Sequence, residues 1–419
     1  MFLKSIDSHP MTQPNAQKPR IALALAGGGP LGAIYEIGAL CALDEALGGV
    51  KFNELHAYIG VSAGGFIAAG LANGITPREL CASFIENTGS RADVFDPSVL
   101  VRPDWGEYAK SLAKLPSVAA QAGLRYAFKG GSLMAAFERL GSALPAGIFS
   151  NAMIDTQLRK QFSAPGRTND FRQLKRKLVL VATDLDSGDS AEFGRPGLDH
   201  VPISKAVQAS SALPGLFPPV EIDGHCYVDG ALKKTLHASV LLDEGLDLLI
   251  CLNPLVPFDS TRAPARRLLS SGDAVIPKLS DGGLPVVLSQ TFRTMIHSRL
   301  ELGMKGYEHS HPHTTIVLFE PDHRDPEMFL ANTFSYRQRR ALAEHAYQQT
   351  RKILRKRRTA LSAQFAPHGV TIQQDVLDDL GRTLVSHQRA QASVRNRSGR
   401  ALHKLEQTLN DLEHAIQAA

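Results

Sequence analysis

The chain has 419 residues, of which 43% are hydrophobic and 21% charged, with a formal net charge of +5. These figures belong to a globular protein with a large core, holding two to three domains' worth of residues or one large domain with additions, and so mild a charge makes no case by itself for nucleic acid. The four cysteines, Cys41, Cys81, Cys226 and Cys251, lack CxxC spacing, which argues against a zinc site or a disulfide framework and for a reducing, cytoplasmic compartment.

Residues 1–19 are polar and proline-containing and read as a disordered leader. They carry no apolar h-region, and no run of about 18 apolar residues occurs along the chain, so neither a signal peptide nor a transmembrane span is expected. Residues 21–26 then form a short apolar run, stopped by Gly27-Gly28-Gly29-Pro30 and followed by an apolar pattern over 31–47. A buried parallel strand, a glycine loop and a helix follow from that order. Three glycines before a helix N-terminus can point backbone N–H groups at an anion. The spacing Gly27-x-Gly29-x-x-Gly32 also fits a dinucleotide fingerprint. That reading wants an acidic residue closing the second strand, and Glu54 precedes the strand instead, so an anion-stabilising loop is preferred.

The second apolar run, 55–59, leads into Gly60-Val61-Ser62-Ala63-Gly64-Gly65 and a helical stretch over 66–71. A serine between strand and helix, with glycines two residues away on each side, fits a nucleophile elbow, although a plain strand-to-helix turn uses the same residues. Only one strand precedes the elbow strand, which disfavours the α/β-hydrolase fold, where several do. Residues 91–150 are punctuated by prolines between short helical stretches and read as a helical insertion, either a cap over the site or plain packing, with the lone Trp105 inside it.

Residues 177–183 form a central strand ended by Asp184-Leu185-Asp186-Ser187-Gly188-Asp189, a composition that suits a turn better than a metal site. A helix over 203–209 runs into Ser210-Ser211-Ala212-Leu213-Pro214-Gly215-Leu216-Phe217-Pro218-Pro219, where the prolines impose an extended segment. Asp223-Gly224 between two short apolar runs signals a hairpin whose second strand delivers Asp229-Gly230-Ala231. An aspartate so placed either faces a site or caps a turn. Strands are expected over 246–252 and 314–319, with a long surface loop over 259–283. His309, His311 and His313 look metal-like, but Pro312 interrupts them and no carboxylate spacing supports them.

Residues 335–358 are helical and basic, with nine Lys or Arg against the single acid Glu344. Such a helix is either a solvated face or a surface attracted to anionic membrane. After a break at Pro367-His368-Gly369 the chain resumes as a helical region to residue 419, where Leu402, Leu405, Leu409, Leu412 and Ile416 step like a short seam suited to self-association.

The glycine loop, the Ser62 elbow, the 209–219 segment and Asp229-Gly230-Ala231 together resemble the patatin-like phospholipase family in order and spacing, over about residues 20–320. The resemblance implies a three-layer α/β/α fold with a mainly parallel central sheet, here followed by a C-terminal helical extension. It implies a lipid acyl hydrolase with Ser62 as nucleophile and Asp229 as general base. Gly28 and Gly29, in a loop completed by Gly27 and Gly32, supply the oxyanion hole, and Gly60, Gly64, Gly230 and Ala231 support the motifs. Neither a cofactor nor a metal is called for. Family members commonly carry a basic residue where this chain has Leu31, which leaves neutral glycerides, lysolipids or other acyl esters open beside phospholipids. A catalytically silent lipid-binding scaffold of the same fold is the alternative. The organisation expected is a leader (1–19), a hydrolase domain (20–330) and an extension (331–419), at the cytoplasm or peripheral to a membrane.

Overall fold

The computed structural model describes residues 18–88, 147–261, 278–330 and 336–384. The leader up to residue 17, the insertion up to residue 146 with Trp105, and the 400–419 seam lie outside the described residues.

The sheet grows from β1 (Ile21–Leu25), which pairs in parallel with β3 (Ala57–Val61) on one side and β8 (Leu248–Leu252) on the other. Beyond β8 lies β9 (Thr315–Phe319), and beyond β3 lies β4 (Lys177–Asp184), both again parallel. The hairpin β6 (Val220–Ile222) and β7 (His225–Asp229) and the strand β5 (Ser190–Phe193) join antiparallel, giving eight strands in a mainly parallel sheet. Asp223 and Gly224 both have positive φ, 53° and 81°, as the two central residues of a tight hairpin turn require.

Side chains alternate across this sheet as a period of two demands. Leu23, Leu25, Tyr58, Leu178, Leu180, Leu248 and Ile250 enter one core, against α1 (Gly29–Ala46) and α2 (Ala63–Ala72). The smaller Ala22, Ala24, Ala57, Ile59, Val61, Val179 and Val181 enter the other, with Leu236, Leu241 and Leu300. Burial on both faces explains why the strands read as unbroken apolar runs. Two further helices pack on each other, α3 (Ala152–Phe162) and α4 (Ile203–Ser210), with Ser204 Oγ of α4 donating to Asp155 Oδ1 of α3. A fifth, α5 (Gly283–Ser310), is the longest of the described helices and fills the stretch after the expected 259–283 loop.

The basic stretch forms α6 (Tyr336–Lys356), and its charges are divided between buried and exposed positions. A Cβ at Gly38 of α1 would lie 2.4 Å from the Ala343 carbonyl oxygen and 2.9 Å from the Ala346 Cβ, so this glycine lets the two helices approach closely. Arg339 and Arg351 are buried at 2% and 1% exposure, and they serve as donors to carbonyls. Arg339 Nη1 donates to the Phe84 carbonyl at 2.7 Å, and Arg351 Nη2 donates to those of Val376 and Asp379 at 2.7 and 2.6 Å. Guanidinium groups carry several donors in a fixed fork, which lets one buried arginine satisfy a whole turn of backbone. Among the described side chains of the stretch, the exposed basic residues are Lys352, Lys356, Arg357 and Arg358.

Downstream of the break, the expected helical region does not begin directly. Thr371–Ile372 is a strand, β10, pairing antiparallel with β2 (Leu47–Gly48) at the end of α1, and among the described residues after it Gln374–Asp378 returns to helix. Gly369, at φ 71°, makes the turn that permits this return. Among the described residues no helix is long and apolar enough to cross a membrane.

Candidate active site

Parallel strands bring the carboxyl ends of β1, β3, β8 and β9 to one edge, where α/β folds bind ligands. The end of β1 is the glycine loop, and the end of β3 is Ser62. Ser62 has φ 53° and ψ −122°, a conformation that only a constrained turn imposes on a residue with a side chain. Its flanking glycines are required by contact. A Cβ on Gly60 would fall 2.5 Å from the Gly65 Cα, and one on Gly64 would fall 2.5 Å from the Leu25 carbonyl oxygen.

Asp229 reaches Ser62 through β4. That strand pairs with β5 and β7 at the same residues, Ala182 and Thr183, so these two occupy opposite edges; β3 and β5 share Leu180 and Val181 in the same way. Hence β3 and β7 lie end to end along one edge of β4. Val61 opposes Val181, Asp229 opposes Ala182, and the elbow and the aspartate become neighbours across residues far apart in sequence. The Ser62 side chain bears on the Asp229 carboxylate and pulls its pKa down against burial.

The 209–219 segment braces both partners. Ser210 Oγ accepts the Ser62 N–H at 2.8 Å and donates to the Val181 carbonyl at 2.6 Å. The Asp229 N–H donates to the Ala212 carbonyl at 3.0 Å. The sequence places Ser210 in this segment but gives it no role, because a helix-ending serine carries no sign of the distant backbone it serves. Replacing Ser210 with alanine orphans two buried groups, a loss of about 1–3 kcal/mol each. Ser210→Ala is therefore expected to lower the urea midpoint and to reduce kcat more than it alters KM. An unchanged midpoint would refute the bracing role.

Asp229 is 3% exposed, and its Oδ1 accepts the Ala231 N–H at 2.9 Å. Burial pushes its pKa up to about 6, against the opposing pull of the Ala231 and Ser62 donors. His237, also missed in sequence, is buried beside this turn, with Nε2 donating to the Gly230 carbonyl at 3.2 Å. Burial lowers its pKa to about 4, so it is a neutral strut and not a base on Ser62. A Cβ on Gly230 would lie 2.3 Å from the Val181 carbonyl oxygen, and Ala231 is buried beside it.

Gly27 is pressed against the pair: a Cβ there would sit 3.1 Å from the Ser62 Cβ and 3.3 Å from the Ala231 Cβ. Gly28 precedes the first turn of α1 and packs with Gly32 against Pro254, while Gly29 has φ 60° and open space around it. The opening N–H groups of a helix have no intrahelical acceptor and carry partial positive charge. The Ser62 N–H is already taken by Ser210, and the glycine loop lies against the Ser62 side chain at Gly27. Leu31, in the position expected to be basic, packs half-buried against the core.

The other candidates stand apart. Asp184 Oδ1 accepts the N–H groups of Asp186 and Ser187 at 2.9 and 3.0 Å, the turn role expected of it. His309 bonds the Lys305 carbonyl, and His311 faces Asp243. All four cysteines are free thiols.

A family model for patatin-like phospholipase matches residues 23–242. An uncharacterized NTE family protein of Mycobacterium bovis is 35% identical over 83 residues, 20% of this chain and 22% of that protein. Another, of Mycobacterium tuberculosis, is 29% identical over 123 residues, 26% of this chain and 20% of that protein. The chain thus matches about a fifth of the length of these curated relatives. Among solved structures, VipD from Legionella pneumophila aligns over 81% of this chain and 67% of its own, at 15% identity and a TM-score of 0.36. Human GIVD cytosolic phospholipase A2, in complex with methyl gamma-linolenyl fluorophosphonate, aligns over 82% and 59%, at 14% identity and a TM-score of 0.30.

Proposed function

The chain belongs to the patatin-like phospholipase family, and we propose that it hydrolyses acyl esters of lipids through a Ser62–Asp229 dyad. The observation that carries this reading is a serine held at positive φ whose side chain bears on the buried Asp229 carboxylate. Asp229 takes the Ser62 proton as Oγ attacks the ester carbonyl, and the oxyanion is held by N–H groups of the Gly27-Gly28-Gly29 loop. The protonated Asp229 then gives its proton to the leaving alcohol. In the second half-reaction it draws a proton from water, which attacks the acyl-enzyme and releases Ser62. The catalytic unit is residues 20–330 with a cap over 91–150, and 331–419 is its extension.

Leu31 contributes no cation to hold a phosphate at the loop, so the proposed substrate class is the acyl ester, with neutral glycerides, lysolipids or other esters standing beside phospholipids. Turnover of short-chain acyl esters, with fluorophosphonate labelling mapped to the Ser62 peptide by mass spectrometry, tests the reading. Neither turnover nor label would favour the catalytically silent lipid-binding scaffold.

For localisation we propose peripheral contact with anionic lipid through Lys352, Lys356, Arg357 and Arg358, the outward charges of the 335–358 stretch. Each basic residue near such a surface contributes about 1 kcal/mol, reduced as salt screens it. Flotation with phosphatidylserine vesicles is expected to fall with added salt and with Lys352→Glu/Lys356→Glu. Binding insensitive to both would reject the contact. Self-association through 400–419 is the proposed role of that seam.

A further inference from the structure

Beside the dyad edge, a second cluster belongs to no step above. His297 lies on α5, and Glu320 and His323 follow β9 with E-x-x-H spacing. One ligand atom from each of the three lies within 4.8 Å of the others, and the two imidazoles meet edge to face with centroids 4.8 Å apart. His297 Nδ1 is buried and makes no hydrogen bond, with Glu320 Oε1 3.6 Å away. On the opposite side of the ring, Glu301 Oε1 stands 3.4 Å from Nε2.

We propose that His297, Glu320 and His323 bind a divalent transition-metal ion. Two imidazoles and one carboxylate, with a coordination position left for water, form a donor set that suits zinc. His297 coordinates through Nδ1 and donates Nε2–H to Glu301, the outer carboxylate that orients a metal-bound histidine. Tetrahedral zinc holds its donors roughly 3.4 Å apart, so binding draws the three side chains together by small rotations. Their backbones are fixed beforehand: the Asn253 N–H donates to the Phe319 carbonyl at 3.0 Å and the Asp259 N–H to the His323 carbonyl at 2.8 Å. His323 also lines a cleft with Pro254, Val256 and Phe258. Arg293, in the same cleft, is turned away onto the Phe329 ring at 5.0 Å and the Val256 carbonyl at 3.3 Å.

The ion would also bear on the glycine loop's support. Asn253 Nδ2 donates to Glu320 Oε1 at 2.7 Å, and the next residue, Pro254, packs on Gly28 and Gly32. The site itself stands independently of the hydrolase reading.

The test is equilibrium dialysis of the chelator-treated full chain against zinc chloride, with metal counted by mass spectrometry, and the visible bands of a cobalt-substituted sample. One saturable ion per chain and a raised Tm are expected. His297→Ala and His323→Ala are expected to abolish that stoichiometric binding. Glu301→Gln is expected to weaken it about 10–100-fold, the usual loss for an outer partner. Glu320→Gln, close to isosteric, separates ligation from folding: it loses the metal while circular dichroism stays native. No saturable binding, or binding retained in His297→Ala/His323→Ala, would overturn the proposal.

Discussion

Ser62→Ala is expected to cut kcat by at least about 10⁴-fold and to abolish fluorophosphonate labelling, because no acyl-enzyme can form without Oγ. What remains is the modest advantage of binding an ester beside the glycine loop. The fold should survive, since the Ser62 N–H keeps its bond to Ser210. A companion variant reads the strain directly. At φ 53° and ψ −122° a side chain costs on the order of 1–3 kcal/mol, which glycine escapes. Ser62→Gly should therefore be equally inactive yet melt higher than Ser62→Ala. Full esterase activity in either variant would remove Ser62 from the mechanism.

Why this serine could be read from sequence, and its supports could not, follows from distance along the chain. The elbow is local: Gly60 and Gly64 are where a Cβ would meet backbone, and composition records that directly. The central strands were legible because burial on both faces removes polar residues from them. Ser210 and His237 serve backbone atoms 148 and 7 residues away, and a serine or histidine carries the same letter whether or not it does so. Charge misled in the same way. Nine basic residues over 335–358 suggested a solvated face or a membrane-attracted one, while Arg339 and Arg351 among them answer carbonyls contributed by other segments. Attention to histidines fell on the sequential run 309–313, whereas His297 and His323 converge only once α5 lies beside β9. The β10 return was hidden because two residues are too few for any periodicity to show.

Asp229→Asn is expected to lose about 10²–10⁴-fold in kcat, the range for removing a general base, and to reach the upper end because one group serves both half-reactions. The same substitution should stabilise the fold. Burial raises the carboxyl of Asp229 to about 6, above the ~3.9 of the unfolded chain, so between these values the folded state holds the extra proton. Stability is therefore greatest below about pH 4, falls as pH rises through 6, and at neutral pH stands on the order of 3 kcal/mol lower than with a neutral side chain. Asparagine is that neutral side chain, with an oxygen still able to accept from Ala231. Urea unfolding should show Asp229→Asn more stable than wild type at about pH 8, and the two should converge near pH 4. In parallel, wild-type kcat/KM should climb with pH through about 6, as the free enzyme's base ionises. A stability gap that does not change with pH would mean that Asp229 is not the strained carboxylate its burial implies. A flat pH–rate profile would mean that another group takes the Ser62 proton.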